Sequence, residues 1–181
     1  VGQAILMQIY QNFFNMYTHT IAQILLTKTD FEDDARRENI ENTFDELLSH
    51  GIVPIINAND TTSTYEIEFS DNDHLAASVA GLLKADMLIL LTDIDALYDS
   101  DPRVNPEAKR IKIVEEVTSE IEQMAGTAGS KFSVGGMATK ISAAKYCADN
   151  GIDMVIANGK DAEIIERIVD GEDVGTLFIG K

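Results

Sequence analysis

A single cysteine, Cys147, is the only thiol in this chain, so no intramolecular disulfide can staple it. It falls inside a helical pattern and reads as a small buried apolar residue in a reducing compartment. Apolar runs are short: none approaches the roughly 20 residues that span a bilayer, and no secretory leader is visible. These absences point to a cytoplasmic protein. Positive charge is also scarce, with 14 Lys and Arg against 31 Asp and Glu and a formal net charge of −17. That balance repels DNA, RNA and anionic membranes. The histidines His19, His50 and His74 have no second ligand at metal spacing. No linker, internal repeat or low-complexity tract divides the chain. It opens at Val1, not at a methionine, and enters at once an uncapped helical pattern of Ile5, Leu6, Ile9, Tyr10, Phe13 and Phe14. That reads as an interior starting point.

What the chain does have is a core. Of its 181 residues, 45% are hydrophobic, enough for one domain with a buried interior. Short apolar runs alternate with helical periodicity. Residues 21–26 read as a strand, and Asp33 to His50 read as a helix closed by Gly51. Residues 52–56 form a second strand, with Pro54 at its edge or beginning. Thr64 to Phe69 alternates like a small hairpin arm, and Asp71-Asn72-Asp73 sits where helix caps sit, before Leu75, Ala76, Val79, Ala80 and Leu83. Met87 to Leu91 is the strongest strand pattern, continuous enough to be covered on both faces. A long polar connection leads to a helix near 117–124, a helix from Ala138 to Asn150 capped by Gly151, a strand at 154–156, a helix at 162–169 and a last strand at 176–179. The fold class is α/β, a three-layer sandwich whose mainly parallel sheet is covered by helices on both faces.

In such sheets ligands collect beyond the carboxyl ends of the strands. The polar segments of this chain fall there: Asn57-Ala58-Asn59-Asp60 after one strand, Thr92-Asp93-Ile94-Asp95 after another. Gly135-Gly136-Met137-Ala138-Thr139-Lys140 opens a helix with two residues that admit close backbone approach, a helix N-terminus and a cation, which together outline a phosphate cradle. The chemistry such groups suit is phosphoryl transfer, in which amides and cations stabilise the moving phosphoryl group while carboxylates or amides place metal and acceptor. Asp60, Asp73 and Asp93 are available for the second task. Each also fits a structural role: Asp71 or Asp73 as a helix cap, Asp60 as a turn residue, Asp93 as a loop carboxylate, and the glycine pair as a plain turn.

Several segments together carry a resemblance that extends over essentially the whole chain. They are Val53 to Asp60, Phe69 to Ala77, Leu90 to Tyr98, Asp101 to Pro106 and Gly135 to Lys140. The sequence resembles the glutamate 5-kinase branch of the amino acid kinase family. Thr92-Asp93 and Asp101-Pro102-Arg103 also suit relatives such as uridylate kinases and aspartokinases. The 57–60, 71–73 and 135–140 segments are what point to the glutamate branch. The resemblance implies transfer of the γ-phosphoryl group of ATP, with Mg2+, to the side-chain carboxylate of L-glutamate, the first step toward proline. It further implies a homo-oligomer, feedback inhibition by proline, and no nucleic-acid or membrane partner. Carried over by position, Asp60 and Asn72 bind glutamate, Asn57 and Asp71 shape that pocket, and Asp73 organises the cations. Thr92 and Asp93 lie against the nucleotide, Val134, Gly135, Gly136, Met137, Ala138, Thr139 and Lys140 hold its phosphates, and Lys140 with Asp73 is catalytic.

Three departures from the family pattern stand out. Ser133-Val134 replace a usual Gly-Thr, which stiffens the segment and removes a hydroxyl near the phosphates, and Ala96 and Ser70 stand where Gly is usual. The resemblance also implies an N-terminal strand, a glycine loop with a second phosphate-facing lysine, and a Ser-Gly-Ala segment, none of which is in these residues. Without them the chain is expected to lack useful kinase activity and could serve as a non-catalytic nucleotide-binding or oligomerising module. A related kinase for another small acid or a nucleoside monophosphate is the other alternative. At the far end, the resemblance leads to the expectation that the RNA-binding-like domain found in many bacterial members is absent after residue 181.

Overall fold

The computed structural model describes residues 2–59, 71–102, 104–127 and 134–181. Two compact units divide the chain, Val1–Leu75 and Ala76–Lys181.

The first unit holds α1 (Gly2–Met16), β1 (Ile21–Leu26), α2 (Thr29–Glu32), α3 (Asp34–Ser49), β2 (Val53–Ala58) and the start of α4 (Asn72–Leu82). β1 and β2 pair in parallel from Ile21↔Val53 to Leu26↔Ala58. Parallel neighbours need a long crossover, and α2 with α3 supplies it. Asp33 starts α3 by accepting the Arg36 N–H at 2.9 Å. Gly51 ends it at φ 67, the left-handed conformation that favours glycine. Phe44, fully buried, is the side chain α3 commits to the interior. Pro54 stands second in β2, opposite Ala22. The sequence pattern at 64–69 lies outside the described residues.

The second unit is built on a four-stranded sheet of order β3-β5-β6-β4, from β3 (Met87–Thr92), β4 (Ile113–Val114), β5 (Asp153–Asn158) and β6 (Thr176–Phe178). Alternation along β5 explains its layers. Met154 and Ile156 point into a cluster with Ala143, Ala144 and Cys147 of α6 (Val134–Asp149), while Val155 and Ala157 meet Ile164 and Ile168 of α7 (Ile164–Val169). β5 is thus covered by a helix on each face. α5 (Ser119–Thr127) completes the set, with Val117 and Ile121 packed at the margin of the larger cluster.

The parallel α/β expectation holds for β1–β2, β3–β5 and β4–β6. β3, the most continuous apolar run, packs Leu88 and Leu90 against one cluster and Met87 and Ile89 against the other, so both of its faces are covered although it lies at one end of its sheet and leaves Leu91 exposed. Three details differ from the sequence reading. β6 runs antiparallel to β5, and the two-residue β4 has too short a pattern to be read in advance. α6 begins at Val134, so Gly135-Gly136 form part of its first turn and not a loop before it.

Candidate functional site

The acceptor-side candidates lie in the first unit. Asn57 is half-buried in β2, and its Oδ1 accepts the N–H of Ala58 at 2.9 Å. Asp71 precedes α4, where its Oδ1 accepts the His74 N–H at 2.9 Å and its Oδ2 sits 2.8 Å from His74 Nδ1. Asp71 therefore takes the capping role the sequence left open. Asn72 is exposed, and Asp73, half-buried, occupies the first turn of α4, where helix amides favour a carboxylate. His74 is a first-turn residue turned to Asp71. Asp60 lies outside the described residues.

The nucleotide-side candidates lie in the second unit. β3 ends in Thr92, whose C=O accepts the Gly159 N–H at 2.8 Å and whose hydroxyl donates to Asp93 Oδ1 at 3.1 Å. Just beyond the strand opens a pocket of ≈ 240 Å³ lined among others by Asp93, Ile94, Tyr98, Asp101, Pro102 and Met137. This wall is an excursion of the chain between β3 and β4 that folds on itself. Tyr98 bridges Arg110 in antiparallel fashion, the Ile111 N–H donates to Leu97 O at 2.9 Å, and Asp99 Oδ1 accepts the Lys109 N–H at 2.9 Å. That last bond, aided by Ser100, holds the Asp99 carboxyl below its usual range. The Tyr98 hydroxyl donates to Asp95 Oδ2 at 2.9 Å, which raises the phenol above its usual value.

α6 supplies the other side of the pocket. Met137 is buried to 6% exposure and lines it. Lys140 follows three residues later, so it shares the helix face of Met137 one turn deeper, half-buried. Thr139 hydroxyl donates to Gly136 O at 3.0 Å, inside the helix. A Cβ built on Gly136 would meet nothing within 4 Å. Glycine is therefore not required there by packing. It stands in the first turn of α6, where amides without an intrahelical acceptor suit an anion.

The structure thus brings Asp93 to one pocket with Met137, two sequence candidates far apart in the chain, and sets Thr92 beside it. Asn57, Asp71, Asn72 and Asp73 belong to the other unit. Tyr98, Asp95 and Asp101 line or brace the pocket without having drawn a role from the sequence alone. The Asp101-Pro102 turn was the available signal, because it fixes where the excursion reverses. Among the described residues no group of three His, Cys, Asp or Glu side chains could hold a metal ion.

Residues 1–158 match the amino acid kinase family. A glutamate 5-kinase of Clostridium perfringens is 52% identical over 185 residues, covering 100% of this chain and 69% of the relative. One from Clostridium acetobutylicum is 54% identical over 181 residues, covering 100% and 68%. One from a Thermoanaerobacter species is 52% identical over 179 residues, covering 99% and 48%. The chain therefore spans about half to about two thirds of these curated relatives. Two crystal structures share its fold: an isopentenyl phosphate kinase of T. acidophilum (TM-score 0.58, 20% identity, 97% of this chain and 66% of that one) and a UMP kinase of Ureaplasma parvum (TM-score 0.60, 14% identity, 93% and 64%). Family match, sequence identity and fold converge: this chain belongs to the amino acid kinase family, where its sequence groups with glutamate 5-kinases.

Proposed function

We propose that this protein transfers the γ-phosphoryl group of ATP to the side-chain carboxylate of L-glutamate, giving an acyl phosphate. The observation that carries the reading is the pocket at the carboxyl end of β3, where Asp93 and Met137 from two separate kinase motifs line one cavity with Lys140 a turn behind. Identity of 52% across the chain to a glutamate 5-kinase supports the acceptor.

The chemistry follows from charge. A carboxylate is already a nucleophile and needs no general base, but it must approach a phosphate that repels it. The net charge of −17 makes the global field unhelpful, so local groups must screen the repulsion. Lys140 supplies a cation at the helix terminus, and the amides of Gly135 and Gly136 supply donors that need no reorganisation. Asp73 would hold Mg2+ carried on the nucleotide, whose charge would neutralise phosphate oxygens. Asp60 and Asn72 bind glutamate in this reading, with Asn57 and Asp71 shaping the pocket. The same reading includes a cytoplasmic location, self-association and feedback by proline. Initial rates of acceptor-dependent ADP release from ATP, with glutamate, aspartate, carbamate and UMP as acceptors, test it. Glutamate should be preferred, and equal turnover with another acceptor would overturn the assignment.

A further inference from the structure

Thr176 is fully buried in β6, polar, and outside every motif used above. Its hydroxyl accepts the Leu97 N–H at 2.9 Å and donates to the Ile111 C=O at 2.6 Å. Leu97 and Ile111 are the two feet of the excursion that walls the pocket, already joined by the Ile111 N–H to Leu97 O bond. One hydroxyl thus satisfies a donor on one foot and an acceptor on the other.

The residues around Thr176 fasten the same excursion. Asp173 forms ion pairs with both Arg110 and Lys112, and its C=O accepts from Arg110 Nη1 at 3.2 Å. Between them Gly175 runs at φ 67, and a Cβ there would stand 2.1 Å from Ile156 O. Only glycine lets the backbone pass so close to β5, and that close pass sets Thr176 under Leu97. Leu97 itself lines the pocket.

We infer that Thr176 is a positioning residue for nucleotide binding: through Leu97 and Ile111 its hydroxyl sets the wall formed by residues 93–102, without touching ligand. The inference rests on the assignment of that pocket to ATP. Thr176→Val keeps the shape and removes the hydroxyl, orphaning a buried N–H and a C=O, which together cost about a factor of 10 in the population of the correct loop. Thr176→Ser keeps the hydroxyl and loses only a methyl.

The test measures the KM of each substrate and amide hydrogen exchange of the 93–102 segment, with and without ATP, in the whole protein. Thr176→Val should raise the KM for ATP about 10-fold with the glutamate KM within about 2-fold, and Thr176→Ser should restore the ATP KM. ATP should slow exchange of 93–102 in the wild type and much less in the Val variant. Should Thr176→Val fail to fold, Asp173→Asn, on the surface, should still raise the KM for ATP a few-fold at low salt; an unchanged value would overturn the proposal. If ATP protects 93–102 in the wild type yet a folded Thr176→Val keeps a normal ATP KM, the positioning role is overturned and the pocket assignment stands. If ATP leaves 93–102 unprotected in the wild type, the pocket assignment falls, and the role of Thr176 in nucleotide binding with it.

Discussion

Asp71 holds His74 twice, by backbone and by ring: Oδ1 accepts the His74 N–H at 2.9 Å and Oδ2 lies 2.8 Å from Nδ1. The carboxylate at the head of α4 is thus both a cap and a side-chain partner, and its two roles can be separated. Asp71→Ala should cost about 1 kcal/mol in urea unfolding, as loss of a cap does. Asp71→Ser keeps a capping oxygen and should retain most of that stability while raising the KM for glutamate about 10-fold through lost pocket charge and shape. Equal glutamate KM values in Asp71→Ser and wild type would confine Asp71 to capping.

In the whole protein, Lys140→Ala should lower kcat by ~100-fold or more with unfolding temperature unchanged, as removal of a transition-state cation does. The side chain is half-buried on a helix face and fills no core position, so its loss leaves the clusters under α6 intact. Near-normal turnover would remove Lys140 from the chemistry.

The two pockets are distinguished by a pair of variants. Asp60→Ala should raise the KM for glutamate, and Asp93→Ala the KM for ATP, each by about 10-fold or more with the other KM little changed. The opposite pattern would show the pockets to be reversed.

Cys147 is fully buried among Ala143, Ala144 and Met154, and desolvation pushes its thiol from 9.0 up to about 11. Below pH 9 both folded and unfolded chains carry the thiol proton. Between the two values only the unfolded chain loses it, so the contribution is present below pH 9 and gone by about pH 11. Relative to Cys147→Ala, the wild type should lose roughly 2 to 3 kcal/mol of stability across that window. Parallel stability curves for the two proteins would contradict the buried thiol.

Much of this was legible in the sequence because it is local. Gly51 and Gly151 close α3 and α6, Asp71 caps α4, and the apolar periods place the strands to within about two residues. What was not legible depends on chain segments meeting at a distance. The burial of β5 between α6 and α7, the antiparallel β6 and the two bonds of Thr176 are decided by strand order, which no local pattern encodes. The glycine pair illustrates the boundary. The pattern signals a helix start, but the place of the pair inside the first turn of α6 was not readable, because Gly disfavours helix interiors while the ends of helices tolerate it.

The central claim, that a glutamate carboxylate oxygen attacks the phosphorus of ATP, is tested most directly with glutamate carrying 18O in its side-chain carboxylate. Attack makes that oxygen the bridge of the acyl phosphate, and trapping by hydroxylamine at the carbonyl carbon then expels phosphate with the bridging atom. The account predicts one 18O in each phosphate released, formed only when glutamate is present. Unlabelled phosphate, or phosphate formed at the same rate without glutamate, would contradict it.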